Sequence, residues 1–98
     1  MILVAARFSA KTGMRDKIIE MARHCVEETR KETGCVQYEL YASAEDDSTL
    51  FYFEGWEDAD ALRNHMKAPH LTAFREARKD YVEGGPVVRV FEAKEIQL

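Results

Sequence analysis

The sequence predicts an α+β domain, four antiparallel strands in the order βαββαβ with the helices packed on one face of the sheet. Three observations predict it. Short apolar or alternating runs stand near both ends of the chain and as a pair in the middle. An amphipathic stretch of helical period separates the first run from the pair. A second helical stretch, broken by a proline, separates the pair from the last run. Such an order is the split βαβ, or ferredoxin-like, plan.

Ile2 to Phe8 is a compact apolar run and reads as a buried strand. Ser9-Ala10-Lys11-Thr12-Gly13 breaks it, with Thr12 the expected helix cap. From Met14 to Thr33, Met14, Ile18, Met21, Ala22, Cys25, Val26 and Thr29 make one helical stripe, while the charged residues between them face outward. Gly34 supplies the left-handed stop. Cys35 to Tyr41 then alternates, with Val36, Tyr38 and Leu40 on one face and Gln37 and Glu39 on the other. Glu45-Asp46-Asp47-Ser48 is a turn, and Thr49 to Trp56 is an aromatic-rich strand that completes a hairpin. Asp58 caps a short helix from Ala59 to Lys67, which ends where Pro69 holds Ala68 extended. A further helix runs from His70 to Val82. Gly84-Gly85-Pro86 follows it, and Val87 to Lys94 is the last strand.

On the third strand Phe51 and Phe53 share one face, and Tyr52, Glu54 and Trp56 the other. Both faces therefore carry large apolar groups, and the helices can cover only one. The face with Phe51 and Phe53 is expected to meet a second copy, giving an isologous homodimer closed into an α+β barrel. A chain of 98 residues forms one domain with a modest core, which association would supplement.

The net charge of −4 and the absence of a basic stripe argue against nucleic acid as a partner. No apolar run is long enough to span a membrane, and the apolar stretch Met1–Arg7 is too short for a signal peptide, so a cytoplasmic location is expected. Cys25 and Cys35 lack metal or redox spacing, and Cys25 lies on the apolar stripe, so no disulfide is expected. The serines fall in loops and turns without a nucleophile elbow, and no glycine-rich phosphate loop implies a nucleotide cofactor.

The stretch from Glu54 to Phe74 concentrates the chemistry, with a carboxylate, an indole and two imidazoles around a strand end and the following helix. His65 shares a helical stripe with Leu62 and Met66 and so points at the sheet. A buried imidazole beside an aromatic strand is a tunable acid–base group, although a core histidine satisfied by backbone or carboxylate gives the same pattern. His70 begins the next helix and fits a first-turn role as well as a pocket role. The two lie five positions apart across Pro69, and His24 is on another helix, so no metal site is expected. Arg7 on the first strand and Arg89 on the last are candidate pocket cations.

Glu54-x-Trp56…His65-x-x-x-Pro69-His70, together with Gly34-Cys35-x-x-Tyr38, resembles the antibiotic biosynthesis monooxygenase domain over nearly the whole chain, from Val4 to Phe91. The resemblance implies a homodimeric barrel with one pocket per subunit between sheet and helices. It also implies oxidation of a quinol or aromatic phenol by molecular oxygen without a cofactor. On this reading His65 or His70 handles the proton, and Trp56, Glu54, Tyr52, Met66, Phe74 and Arg7 contact the substrate. Two other activities are weighed within the same resemblance. Isomerisation of a phosphorylated autoinducer-2-like signal would use Arg7 or Arg89 for the phosphate. Haem degradation is disfavoured, because Ala6, His65 and Phe74 stand where its asparagine, tryptophan and histidine would be. A non-catalytic dimeric domain that binds a small molecule is the third reading.

Overall fold

Alternation along one strand sets the layers of the molecule. In the computed structural model, which describes residues 1–98, the elements are β1 (Ile2–Ala10), α1 (Arg15–Arg30), β2 (Cys35–Ala42), β3 (Thr49–Trp56), α2 (Ala59–Met66), α3 (Pro69–Arg78) and β4 (Val82–Glu92). The strands form one antiparallel sheet in the order β2-β3-β1-β4. Leu50, Tyr52, Glu54 and Trp56 of β3 are buried, as are Val4 and Phe8 of β1 and Tyr38 of β2. Ile18, Ala22, Cys25 and Thr29 of α1 and Leu71 and Phe74 of α3 bury their stripes in the same core. The fold is the ferredoxin-like α+β plan that the element order predicts.

The register places side chains on faces. Phe8 pairs with Leu50, Ala6 with Tyr52 and Val4 with Glu54, so these share the helix side. Arg7 pairs with Phe51 and Ala5 with Phe53, which puts them on the opposite face, where Phe51 and Phe53 remain half-buried. On β4, Val88 and Val90 take the helix side while Val87, Arg89 and Phe91 take the other. This edge strand keeps Val87, Val88, Val90 and Phe91 between 40% and 55% exposed.

Several local expectations are corrected. Thr12 caps nothing: α1 starts behind Met14, without a side-chain cap. The helix stops at Arg30, and its last carbonyls are used by Lys31 and Glu32, whose N–H groups donate to Glu28 and Thr29. Gly34, at φ 85°, still makes the left-handed turn. A Cβ there would lie 2.6 Å from Cβ of Ala61, so the glycine also lets α2 approach this turn. In β2 a bulge between Cys35 and Gln37 interrupts the alternation, leaving Val36 half exposed and pairing Cys35 with Trp56. Finally, α3 ends at Arg78, and β4 begins at Val82 and carries Gly84-Gly85-Pro86 within it, opposite a register shift in β1. Both cysteines are free. No helix is long and apolar enough to cross a membrane.

Candidate functional site

Asp58 fixes the start of α2 by accepting from the N–H of Ala61 at 2.8 Å, and the 3.6-residue repeat then turns His65 to the sheet. His65 is 2% exposed. Its ring packs 4.7 Å from Trp56 and 5.3 Å, edge-on, from Tyr38. Pro69, at the first position of α3, brings the next helix round so that His70 comes back beside His65.

What joins them is Glu32, in the turn between Arg30 and Gly34. One oxygen, Oε2, lies 2.8 Å from Nδ1 of His65 and 2.8 Å from Nε2 of His70. A carboxylate oxygen accepts both when each of these ring nitrogens carries its proton. His65 is then the Nδ1–H tautomer, and its Nε2, which bonds to nothing in the protein, is left as a base. Burial pushes the His65 imidazole below its ordinary value of 6.5, while the Glu32 hydrogen bond and charge pull it up. Near neutral pH the ring is therefore uncharged and able to accept a proton.

Beside His65, between sheet and helices, lies a cavity of about 280 Å³. Its walls are mainly apolar, from Tyr38, Tyr52, Leu62, Met66, Leu71, Phe74 and the β1 and β4 valines. His65, Glu54, Arg75 and Arg78 bring polar groups to it. Glu54 is 7% exposed, and its Oε1 accepts from the indole N–H of Trp56 at 3.0 Å. Burial raises the Glu54 carboxyl above its ordinary range, and the Trp56 bond offsets part of the rise. Burial likewise keeps the phenols of Tyr38 and Tyr52 in their neutral form. The Tyr52 hydroxyl is buried near Tyr38 and makes no hydrogen bond of good geometry.

Of the residues singled out from sequence, the structure brings His65, Glu54, Tyr52, Met66 and Phe74 to one cavity. Four take other places. Trp56 is wholly buried behind the wall, where it holds Glu54 and stacks near His65. His70 reaches Glu32, not the cavity. Arg7, and Arg89 with it, is corrected to the far face of the sheet by strand parity, so neither meets the cavity. The expectation that the two imidazoles need not meet is also corrected: Glu32, His65 and His70 place three ligand-type atoms within 4.8 Å of one another, the one group here that could hold a metal ion. Glu32, Arg75 and Arg78 were missed. In sequence they are ordinary charges among many, and the only hint for Glu32 is an acid two positions before the glycine stop.

The family model for antibiotic biosynthesis monooxygenase matches residues 1–77. Rv0793 of Mycobacterium tuberculosis, provisionally named a monooxygenase, is 34% identical over 74 residues, covering 76% of this chain and 72% of its own. YcnE of Bacillus subtilis, also provisionally so named, is 28% identical over 74 residues, covering 76% and 78%. An uncharacterised Synechocystis protein, sll1783, is 26% identical over 98% of this chain, which spans 65% of that protein's length. Among solved structures, Rv0793 superposes with a TM-score of 0.87 at 27% identity, covering 97% of this chain and 96% of that one. A Nitrosomonas europaea protein superposes at 0.91 with 18% identity, covering 95% and 98%, a likeness of fold.

Proposed function

The chain belongs to the antibiotic biosynthesis monooxygenase family, and from that premise we propose that it oxidises a quinol or aromatic phenol with molecular oxygen. The observation that carries the reading is the His65 imidazole on the wall of a mainly apolar cavity, with Nδ1 2.8 Å from Oε2 of Glu32 and Nε2 making no bond in the protein. A phenol is inert toward oxygen, whereas its phenolate gives up electrons readily. The protein's task is to take the proton and keep water away while one oxygen atom enters the ring and the other leaves as water, the substrate supplying all four electrons by ending as a quinone (phenol) or hydroxyquinone (quinol).

In this reading Nε2 of His65 takes the phenolic proton. Glu32 holds the ring in the receptive tautomer and stabilises the imidazolium that forms, as the carboxylate does in a triad. His70 holds Glu32. Glu54, fixed by Trp56, is a second group for proton transfer on the same wall. Tyr52, Met66 and Phe74 pack against the ring system, and the cavity volume suits one or two fused rings. Cofactor-independent turnover is part of the proposal.

The proposal includes a homodimer. Half-buried Phe51 and Phe53 and the exposed Val87 and Phe91 make an apolar patch, flanked by Arg7 and Arg89, that no helix of the chain covers, and a second copy would cover it. Sedimentation should give about twice 11.3 kDa. A monomer at micromolar concentration would remove this part.

Oxygen uptake with a reduced naphthoquinone, on chelator-treated protein, tests the chemistry. Wild type is expected to exceed the spontaneous rate, and His65→Ala to lose about 10²–10⁴-fold, the usual share of a general base. Uptake at the spontaneous rate, or unchanged in the variant, would sink the reading. Activity restored only by added metal would move the chemistry to an ion held by Glu32, His65 and His70.

A further inference from the structure

Arg78 is the unusual charge of this molecule. It is half-buried on the cavity wall, its guanidinium 4.8 Å from the ring centre of Phe8 and 5.0 Å from that of Phe74. Arg75, one turn earlier on α3, reaches the same cavity from an exposed position, so the partly withdrawn charge is that of Arg78 alone. Neither takes part in any of the ion pairs. The single polar contact of Arg75 is with Sδ of Met66, at 3.9 Å. The chain has 18 acidic residues against 14 basic ones, so carboxylates are not scarce. Arg30 shows the ordinary arrangement, donating to Glu39 at 2.9 Å and to the carbonyl of Tyr38 at 3.0 Å.

A guanidinium partly drawn out of water and left without a counter-charge is less stable than a solvated one, so one kept on a cavity wall favours an anion there. Glu54 is the only carboxyl among the lining residues; its Oε1 is held by Trp56, and it forms no ion pair with either arginine. Resting on the aromatic-substrate reading above, we infer that the ligand of this cavity is a hydroxylated aromatic bearing an oxyanion group, a carboxylate or a phosphate, received by Arg78 with Arg75. The aromatic rings of Phe8 and Phe74 hold the Arg78 fork in place, and its paired N–H groups match the two oxygens of such a group. The ligand then lies with its phenol toward His65 and its anion toward α3. The helix-side arginines thereby take the task that Arg7 and Arg89, on the far face, cannot perform.

Isothermal titration with 2-naphthol, 6-hydroxy-2-naphthoate and ribose 5-phosphate, against wild type, Arg78→Gln and Arg78→Lys, tests the inference. Wild type is expected to bind the naphthoate at least about tenfold more tightly than the naphthol, the worth of a charge-assisted pair. The ratio should collapse in Arg78→Gln and fall to an intermediate value in Arg78→Lys, with melting curves of the free variants confirming folded protein. Equal binding of the two aromatics by wild type overturns the anion inference and leaves the aromatic reading standing. So does a preference that survives in folded Arg78→Gln, which would make Arg78 a cover over Phe8 and Phe74. Arg78-dependent binding of ribose 5-phosphate with neither aromatic bound keeps the anion and overturns the aromatic ring. Binding of none of the three overturns both.

Discussion

Replacing Glu32 by alanine removes the oxygen on which both imidazoles converge. His65 is 2% exposed, so its Nδ1–H would be left in the core with no acceptor and no water, at about 1–3 kcal/mol. The side chain of His70 is 15% exposed and can turn to solvent, so it loses one net hydrogen bond, about 0.5–1.5 kcal/mol. Together these give roughly 2–4 kcal/mol, or a fall in Tm of about 10–25 °C for a domain of this size. Thermal unfolding at pH 8 and fixed protein concentration measures it, and a double-mutant cycle with His65→Leu isolates the pair. The cycle should be non-additive by at least about 1 kcal/mol, because the leucine leaves no donor to strand. A Tm for Glu32→Ala within about 3 °C of wild type, or an additive cycle, would refute the premise that Glu32 organises the site.

The other predictions follow from single contacts. Gly34→Ala combines a φ of 85° with a Cβ 2.6 Å from that of Ala61, and should cost about 2–4 kcal/mol; denaturant titration reads it, and a loss under about 1 kcal/mol would mean that α2 shifts freely. Tyr52→Phe removes a buried hydroxyl that makes no hydrogen bond of good geometry and should leave the Tm unchanged or slightly higher, whereas a fall of several degrees would reveal a bond to that hydroxyl. Burial lowers the folded-state pKa of His65 below 6.5, so the unfolded chain binds the proton first and stability is lost as pH falls from 6.5 through the folded value. That acid-side loss should shrink in His65→Gln, and an unchanged slope would assign it elsewhere. Glu54 has the opposite sign: its folded pKa is raised above 4.5, so its contribution is present below 4.5 and lost as pH rises through the folded value. Glu54→Gln keeps an acceptor for Trp56 and should raise the Tm more at pH 8 than at pH 4.5, while equal shifts would contradict a raised carboxyl.

By itself the sequence determined what depends on local period. The alternation of β3 told which side Tyr52, Glu54 and Trp56 take, the stripe of α2 turned His65 inward, and Asp58 and Gly34 marked a cap and a turn, because strand and helix repeats act over a few residues. The tertiary structure decided everything that needs two distant segments in register. The early stop of α1 carries Glu32 under α2 and α3, 33 and 38 positions before the histidines it joins. The bulge in β2 moves Val36 out of the pattern, and β1 pairing assigns Arg7 and Arg89 to the far face. The approach of α3 to β1 puts Arg78 over Phe8. A single charge in a loop or on a helix carries no period of its own, so its partner appears only when the chain has folded back upon it.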